Sequence, residues 1–315
     1  MQTTPSRCDR CSASAVIDQP YRRAHLCSEH FLDSVRERAR REIHRQLPGF
    51  RGGQVAVAVS GGKDSAVALA LAHAFFRHRP SVRITALTVD EGIAGYRNVG
   101  VAAADRLAKS LGVEHRVLRA VDVLGTTTDD AAVALPMVAP CSFCGVWRRQ
   151  LLNRAARELG ADALVLGFNL DDLAQTVLMN VARGEVDRLG RMAPHRHRQP
   201  GFVPRIAPLS TVPEREVFLF ARLSALPFDH QECPHAARAA RNVFREVVWR
   251  LEEAIPGTRQ SLLRSRERVA ELLDDRPVRS GVVRCPDCGE PASGGRCRSC
   301  DYLSRLPNTL IPLPG

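Results

Sequence analysis

The chain has 315 residues, 44% of them hydrophobic and 25% charged, with a formal net charge of +11 and ten cysteines. This balance excludes a disordered or fibrous protein and allows roughly two domains with small modules, while no apolar run approaches the ~20 residues of a membrane span. The positive excess points to a polyanionic partner, most simply nucleic acid, and cysteines arranged in CxxC and CxxH pairs favour metal over disulfides, hence a reducing cytoplasm.

The polar N-terminus already carries Cys8 and Cys11, which argues against a cleaved signal peptide. Residues 1–30 form a small metal module, because Cys8-x2-Cys11 followed by Cys27-x2-His30 supplies four tetrahedral ligands for zinc. His25 lies close by, but the CxxH spacing favours His30. Residues 31–50 are a linker with a basic helix over 31–47, stopped by Pro48-Gly49. Residues 51–210 alternate short apolar runs with helical stretches. Strands are expected over 54–59, 82–89, 113–118 and 163–166, and helices over 66–76, 99–111, 144–159 and 171–182. That alternation predicts an α/β fold with a doubly wound parallel sheet. Residues 184–205 break the pattern with Arg188, Arg191, His195, Arg196, His197, Arg198 and Arg205 among glycines and prolines, and read as a mobile basic loop over the site. Residues 211–280 are helical, arginine-rich and complete the catalytic domain. Residues 281–315 hold a second zinc module, Cys285-x2-Cys288 and Cys297-x2-Cys300.

Two further features carry chemistry. Ser60-Gly61-Gly62-Lys63-Asp64-Ser65 follows a strand and opens a helix, where backbone N–H groups cradle phosphate. It is not a Walker A loop, since Val57 occupies the position of the first glycine and Asp64 that of the Ser/Thr. Cys141 and Cys144 lie at a helix N-terminus and Cys233 lies far downstream in Glu232-Cys233-Pro234-His235. Three readings fit them: a redox CxxC with a spare cysteine, a third zinc site completed by His235, or a [4Fe–4S] cluster on three cysteines with one iron open.

SGGKDS after a strand resembles the PP-loop of the N-type ATP pyrophosphatases, which cleave ATP between its α and β phosphates. The resemblance implies that Ser60, Gly61, Gly62, Lys63, Asp64 and Ser65 hold ATP, with Lys63 neutralising the leaving pyrophosphate and Asp64 helping to hold Mg²⁺. The stretch from Thr85 to Gly92 is similar to the family's second strand, where backbone around Thr88 pairs with adenine. Gly167-Phe168-Asn169-Leu170-Asp171-Asp172 is similar to its GHNxDD segment, with Phe168 replacing the usual His. Gly167 then lies against the nucleotide and Asp172 is the catalytic carboxylate. Asp171 is the second candidate, and adjacent acids at a helix start also serve simply as caps.

With the paired terminal zinc sets and the central cysteines, nearly the whole chain resembles the TtuA/Ncs-type tRNA 2-thiouridine synthetases; the TtcA-type cytidine thiolases share PP-loop and cluster but lack the zinc modules. In that group the cluster is held by the cysteines matching Cys141, Cys144 and Cys233. Some members carry a catalytic Lys where Arg148 stands, so a charge-stabilising role survives and an acid–base role does not. The resemblance implies an ATP-dependent tRNA uridine 2-sulfurtransferase in the cytoplasm that uses ATP, Mg²⁺, two Zn²⁺ and one [4Fe–4S] cluster. Its partners would be tRNA, a ubiquitin-like thiocarboxylated sulfur carrier and a second copy of the chain, with no membrane. Arg148, Arg149, the 188–205 loop and the zinc modules would contact phosphates. The alternatives are a PP-loop ligase or amidating enzyme acting on a small molecule, and a non-catalytic zinc-finger RNA-binding protein.

Overall fold

A computed structural model describes residues 6–192, 194, 199–274 and 282–307. Its centre is a parallel sheet of five strands: β1 (Gly53–Ala58), β2 (Val82–Asp90), β3 (Glu114–Arg119), β4 (Ala163–Val165) and β5 (Arg205–Ile206), in the order β3-β2-β1-β4-β5. Val55, Ala56 and Val57 of β1 are all buried, as a central strand covered on both faces requires. Val57 pairs with Ala86 on one side and Val165 on the other. β3 is one of the two edge strands, and its charged residues are solvated. The strand order reverses between β1 and β4, which opens a crevice beyond their carboxyl ends.

The helices around this sheet include α1 (Ser28–Gln46), α2 (Lys63–Phe76), α3 (Arg97–Ser110), α4 (Pro140–Glu158), α5 (Leu170–Ala182), α6 (Glu214–Leu223), α7 (Arg241–Ala254), α8 (Thr258–Asp274) and α9 (Arg298–Leu303). Alternate residues of β1 point to opposite faces. Val55 and Val57 join Phe31, Leu69, Phe76, Leu107 and Phe220 in one core. Ala56 joins Phe143, Trp147, Leu151 and Tyr302 in the other. Each large apolar side chain buried there contributes roughly 1.5–3 kcal/mol. Among the described residues no helix is long and apolar enough to cross a membrane.

The metal modules are fastened to these cores. The N-terminal one is a hairpin of Ile17–Gln19 and Ala24–Leu26 that runs into α1. Tyr21 donates a 2.6 Å hydrogen bond to Glu216 of α6, and Arg38 of α1 pairs with the same carboxylate. The C-terminal module seats Tyr302 edge-on against Phe143 of α4 at 6.0 Å. Arg157 of α4 pairs with Glu290.

Two expectations from the sequence need adjustment. The helix assigned to the 31–50 linker starts at Ser28, inside the metal module, and buries Phe31, Val35 and Ile43 in the main core. Residues 184–205 are not a plain loop. They include a short helix, Val186–Gly190, and the strand β5, whose Ile206 is pulled into the core by pairing with Val165. His195, Arg196, His197 and Arg198 lie outside the described residues. Two short helices, Ala120–Leu124 and Thr128–Ala134, occupy the stretch before α4, the second capped by the Thr127 hydroxyl.

Candidate active site

The phosphate loop leaves β1 and turns at Gly61, whose φ of +90° suits glycine. A Cβ there would sit 2.1 Å from the Gly100 carbonyl oxygen, so the loop rests directly on the backbone of α3. Gly167, just beyond β4, is as tight: a Cβ would come within 2.8 Å of the Ser65 amide nitrogen. The loop is held from inside by its serines. The Ser60 N–H donates to the Ser65 hydroxyl oxygen at 3.0 Å, and that hydroxyl donates to the Gly62 carbonyl at 2.9 Å. No side chain caps the start of α2, which leaves its first-turn amides for an anion.

Two acidic groups meet across the crevice. Asn169 Nδ2 donates to Asp64 Oδ1 at 2.9 Å, while Asn169 Oδ1 accepts the Asp172 N–H at 3.0 Å. Asp172 completes a capping box by accepting the Asn169 N–H at 3.3 Å. Burial pushes the Asp172 carboxyl up to about 6, the nearby Asp64 charge adds to this, and Arg241 partly opposes it. A divalent cation would relieve that repulsion. Asp171 is committed elsewhere: it pairs with Arg259 at 2.8 Å and accepts the Glu214 N–H at 2.7 Å at the start of α6.

Lys63 Nζ lies 2.9 Å from Asp64 and 2.8 Å from Glu214. Burial opposes its charge, yet the two carboxylates outweigh that and hold the ammonium above its ordinary value. Sequence reasoning missed Glu214, because nothing local marks an acid whose partner stands 151 positions away. Thr88 is fully buried, its hydroxyl donating to the Val59 carbonyl at 2.6 Å and meeting His115 Nε2 at 2.8 Å. Its side chain therefore ties β2 to the exit of β1, and only its backbone is left for a ligand. Phe168 is 40% exposed.

The central cysteines come from two segments. Cys141 and Cys144 sit in the first turns of α4. Cys233 follows a stretch that is stitched to the phosphate loop, where the Asp229 N–H donates to the Gly61 carbonyl at 2.8 Å beside a parallel bridge with Gly62. Cys141 Sγ reaches the His235 carbonyl at 3.9 Å. Burial pushes the Cys144 and Cys233 thiols up, and Arg148 opposes this in both. The His235 ring meets Asp129 through Nε2 at 2.8 Å. Arg148 Nη1 lies 3.5 Å from Glu91, a buried acid absent from the sequence-based assignment.

The terminal sets differ in spacing. Cys11 and Cys27 sulfurs are 3.8 Å apart, and His30 Nδ1 is 3.4 Å from the sulfurs of both Cys8 and Cys27. Cys288 and Cys297 sulfurs are 3.6 Å apart. Two thiolates bound tetrahedrally at about 2.3 Å should stand about 3.8 Å apart, so these donors sit at zinc spacing. His25 instead faces Asp9 and Asp18. In the C-terminal quartet a hydrogen bond from Cys288 holds Cys297 down at about 5, and Cys288 is pushed up in turn. Among the described residues only these two quartets, Cys8, Cys11, Cys27, His30 and Cys285, Cys288, Cys297, Cys300, gather their donor atoms within 4.8 Å. The three central thiols are set wider than this among the described residues. That suits a polynuclear centre with an open position better than a single closed ion.

Comparison with known proteins agrees with this geometry. Residues 35–252 match the PP-loop domain family, and residues 7–32 match the N-terminal LIM domain of 2-thiouridine synthetase TtuA. The chain is 39% identical to the tRNA 2-thiolation protein NcsA of Haloferax volcanii, covering 95% of this chain and 98% of that one. It is 31% identical to the tRNA-5-methyluridine(54) 2-sulfurtransferase of Pyrococcus horikoshii, over 94% and 93%. Among solved structures it superposes with a TM-score of 0.85 and 32% identity, over the full length of both chains, on the U34-tRNA thiolase NcsA from Methanococcus maripaludis with its [4Fe-4S] cluster.

Proposed function

Because the chain belongs to the PP-loop family of tRNA 2-thiolation proteins, we propose that it is an ATP-dependent tRNA uridine 2-sulfurtransferase. The observation that carries this reading is the stitching of the Cys233 segment to the phosphate loop. It puts an ATP-holding loop and a three-thiol centre on one crevice.

The chemistry follows from the residues. The phosphate loop and the uncapped start of α2 cradle the β and γ phosphates. Lys63 exchanges its contact with Glu214 for the leaving pyrophosphate. Asp64 and Asp172 would hold Mg²⁺, which supplies charge neutralisation to the phosphates. The uridine C2 oxygen attacks the α-phosphate and pyrophosphate leaves. The adenylated oxygen is now a good leaving group. A sulfur nucleophile attacks C2, the C2–O bond breaks and AMP departs. Cys141, Cys144 and Cys233 would hold the cluster, which would supply a place for sulfur to bind. Arg148 steadies negative charge near that centre.

The finer assignments belong to the same proposal. Zinc closes both terminal quartets; residues 1–30 and 281–315 are their modules around a catalytic body of 51–210 completed by 211–280. The target uridine is flipped out of its stack, since C2 is inaccessible inside a helix. The sulfur source is a ubiquitin-like carrier with a C-terminal thiocarboxylate, the enzyme pairs with a second copy, and it works in the cytoplasm.

The test is mass spectrometry of nucleosides from total tRNA with and without the gene. Loss of a 2-thiouridine species is expected, and the fragment that carries it distinguishes position 34 from position 54. Unchanged thionucleosides in a strain lacking any second thiolase would sink the assignment in favour of a small-molecule ligase. In purified enzyme, Lys63→Ala should abolish tRNA-dependent AMP release; normal turnover would remove the loop from the mechanism.

A further inference from the structure

Two buried charges, Arg97 and Glu91, lie between the nucleotide loop and the cysteines. Arg97 is the first residue of α3 and only 4% exposed. Its Nη2 donates to the Ser60 carbonyl at 2.7 Å and its Nε to the Val89 carbonyl at 3.1 Å. One guanidinium thus grips the end of β2 and the first residue of the phosphate loop. The same Nε lies 2.9 Å from Glu91 Oε2, and Glu91 is 3% exposed. The other oxygen of Glu91 faces Arg148 Nη1 at 3.5 Å. Arg148 stands one helical turn after Cys144 on α4 and its side chain is 47% exposed. The Glu91 backbone is fixed as well, its carbonyl accepting the Thr128 N–H at 2.8 Å.

A buried ion pair is a poor device for stability, because desolvation takes back most of the Coulombic gain. What it provides is geometry: a planar guanidinium with several donors can be held in one orientation by several acceptors. Here the hydrogen bond from Arg97 to Ser60 continues as two charge contacts, Arg97 to Glu91 and Glu91 to Arg148, neither of which is a hydrogen bond. The close packing of Gly61 on Gly100 fixes the loop and the body of α3 against each other.

We propose that Arg97 and Glu91 are positioning residues that set the phosphate loop and Arg148 in one frame, so that the guanidinium beside the cysteines keeps a fixed place relative to the bound nucleotide. The proposal rests on the sulfur-transfer reading of that centre. It assigns no proton transfer to either residue. Their contribution is to the second half of the reaction, where a displaced guanidinium would misplace the charge that steadies the attack on C2.

The experiment follows two products in a single turnover of the reconstituted enzyme with tRNA and ATP: pyrophosphate, released in the first half of the reaction, and 2-thiouridine, formed in the second. Glu91→Gln keeps the shape but removes the charge that orients both arginines. Pyrophosphate release should stay within about threefold of wild type, while the rate of 2-thiouridine formation relative to it should fall at least about tenfold. Arg148→Gln, a half-exposed position with little risk to folding, should give the same fall and carries the test should Glu91→Gln not fold. The double variant should be no worse than the poorer single one, because both cut the same line. An unchanged ratio in either variant, equal loss of both products, or additive effects would overturn the proposal. A second readout needs no cluster. In cluster-free protein, ATP should change the rate at which iodoacetamide labels Cys144 by at least about threefold, and Glu91→Gln should abolish that response. Equal responses in the two proteins, or none in the wild type, would overturn it too. A wild type that forms neither pyrophosphate nor 2-thiouridine would instead count against the function, and the labelling would still report on the frame.

Discussion

Asp172→Asn should make the protein more stable and inactive. The carboxyl stands in a crevice already occupied by Asp64, and burial raises it from 3.8 to about 6. The sign follows from proton binding. Between those two values the folded chain holds a proton that the unfolded chain has lost, so stability falls as pH rises through this window and is flat above it. A rise of that size corresponds to at most about 3 kcal/mol at pH 8, with about half of it present at pH 5. Solvent at the crevice mouth lowers this, so about 1–3 kcal/mol is expected at pH 8. Asparagine keeps the oxygen that accepts the Asn169 N–H, so the capping box survives. Urea unfolding of the zinc-loaded, ATP-free protein at pH 5 and pH 8 measures the gap between variant and wild type. The gap should favour the variant and widen with pH, while AMP release is lost. A variant that is no more stable at pH 8, or whose advantage shrinks between pH 5 and pH 8, would refute the argument from buried like charges.

Three further outcomes are expected. Glu214→Gln removes one of the two carboxylates on Lys63 and should tighten ATP binding by about three- to tenfold, read by calorimetry; unchanged affinity would mean that Glu214 does not compete with phosphate. Cys233→Ala should strip the brown colour and the bound iron from anaerobically reconstituted protein, and full retention would rule Cys233 out as a ligand. Cys285→Ser should halve the zinc content and lower the melting temperature, whereas a full zinc complement would show that the C-terminal quartet does not bind the ion.

What could be read from residues alone was whatever is local. Strands β1, β2 and β4 show as apolar runs because a central parallel strand is buried on both faces, and the loop shows because its glycines are demanded by backbone contact. The zinc quartets show because ligand spacing is set by the ion. β5 escaped notice because two residues, Arg205 and Ile206, carry no period, and their pairing with β4 is decided by the rest of the sheet. Glu91, Arg97 and Glu214 were invisible for a related reason. An acid or an arginine has no signature until its partner is known, and these partners lie on other elements. Asp171 and Asp172, side by side in sequence, separate in space into a structural brace and a crevice acid.

The seat of the C-terminal module bears on how the enzyme is made. Tyr302 rests on Phe143, which lies between Cys141 and Cys144, and Gln150 of the same helix reaches Cys288 at 3.6 Å. The helix that presents two of the three central thiols is therefore propped from behind by a unit too small to keep its shape without its ion. On the proposed metal assignments, maturation would have an order, with zinc first and iron second. A cell short of zinc would build chains that look complete in length and charge yet cannot be loaded with iron, so the supply of one metal would set the yield of an enzyme whose chemistry uses the other.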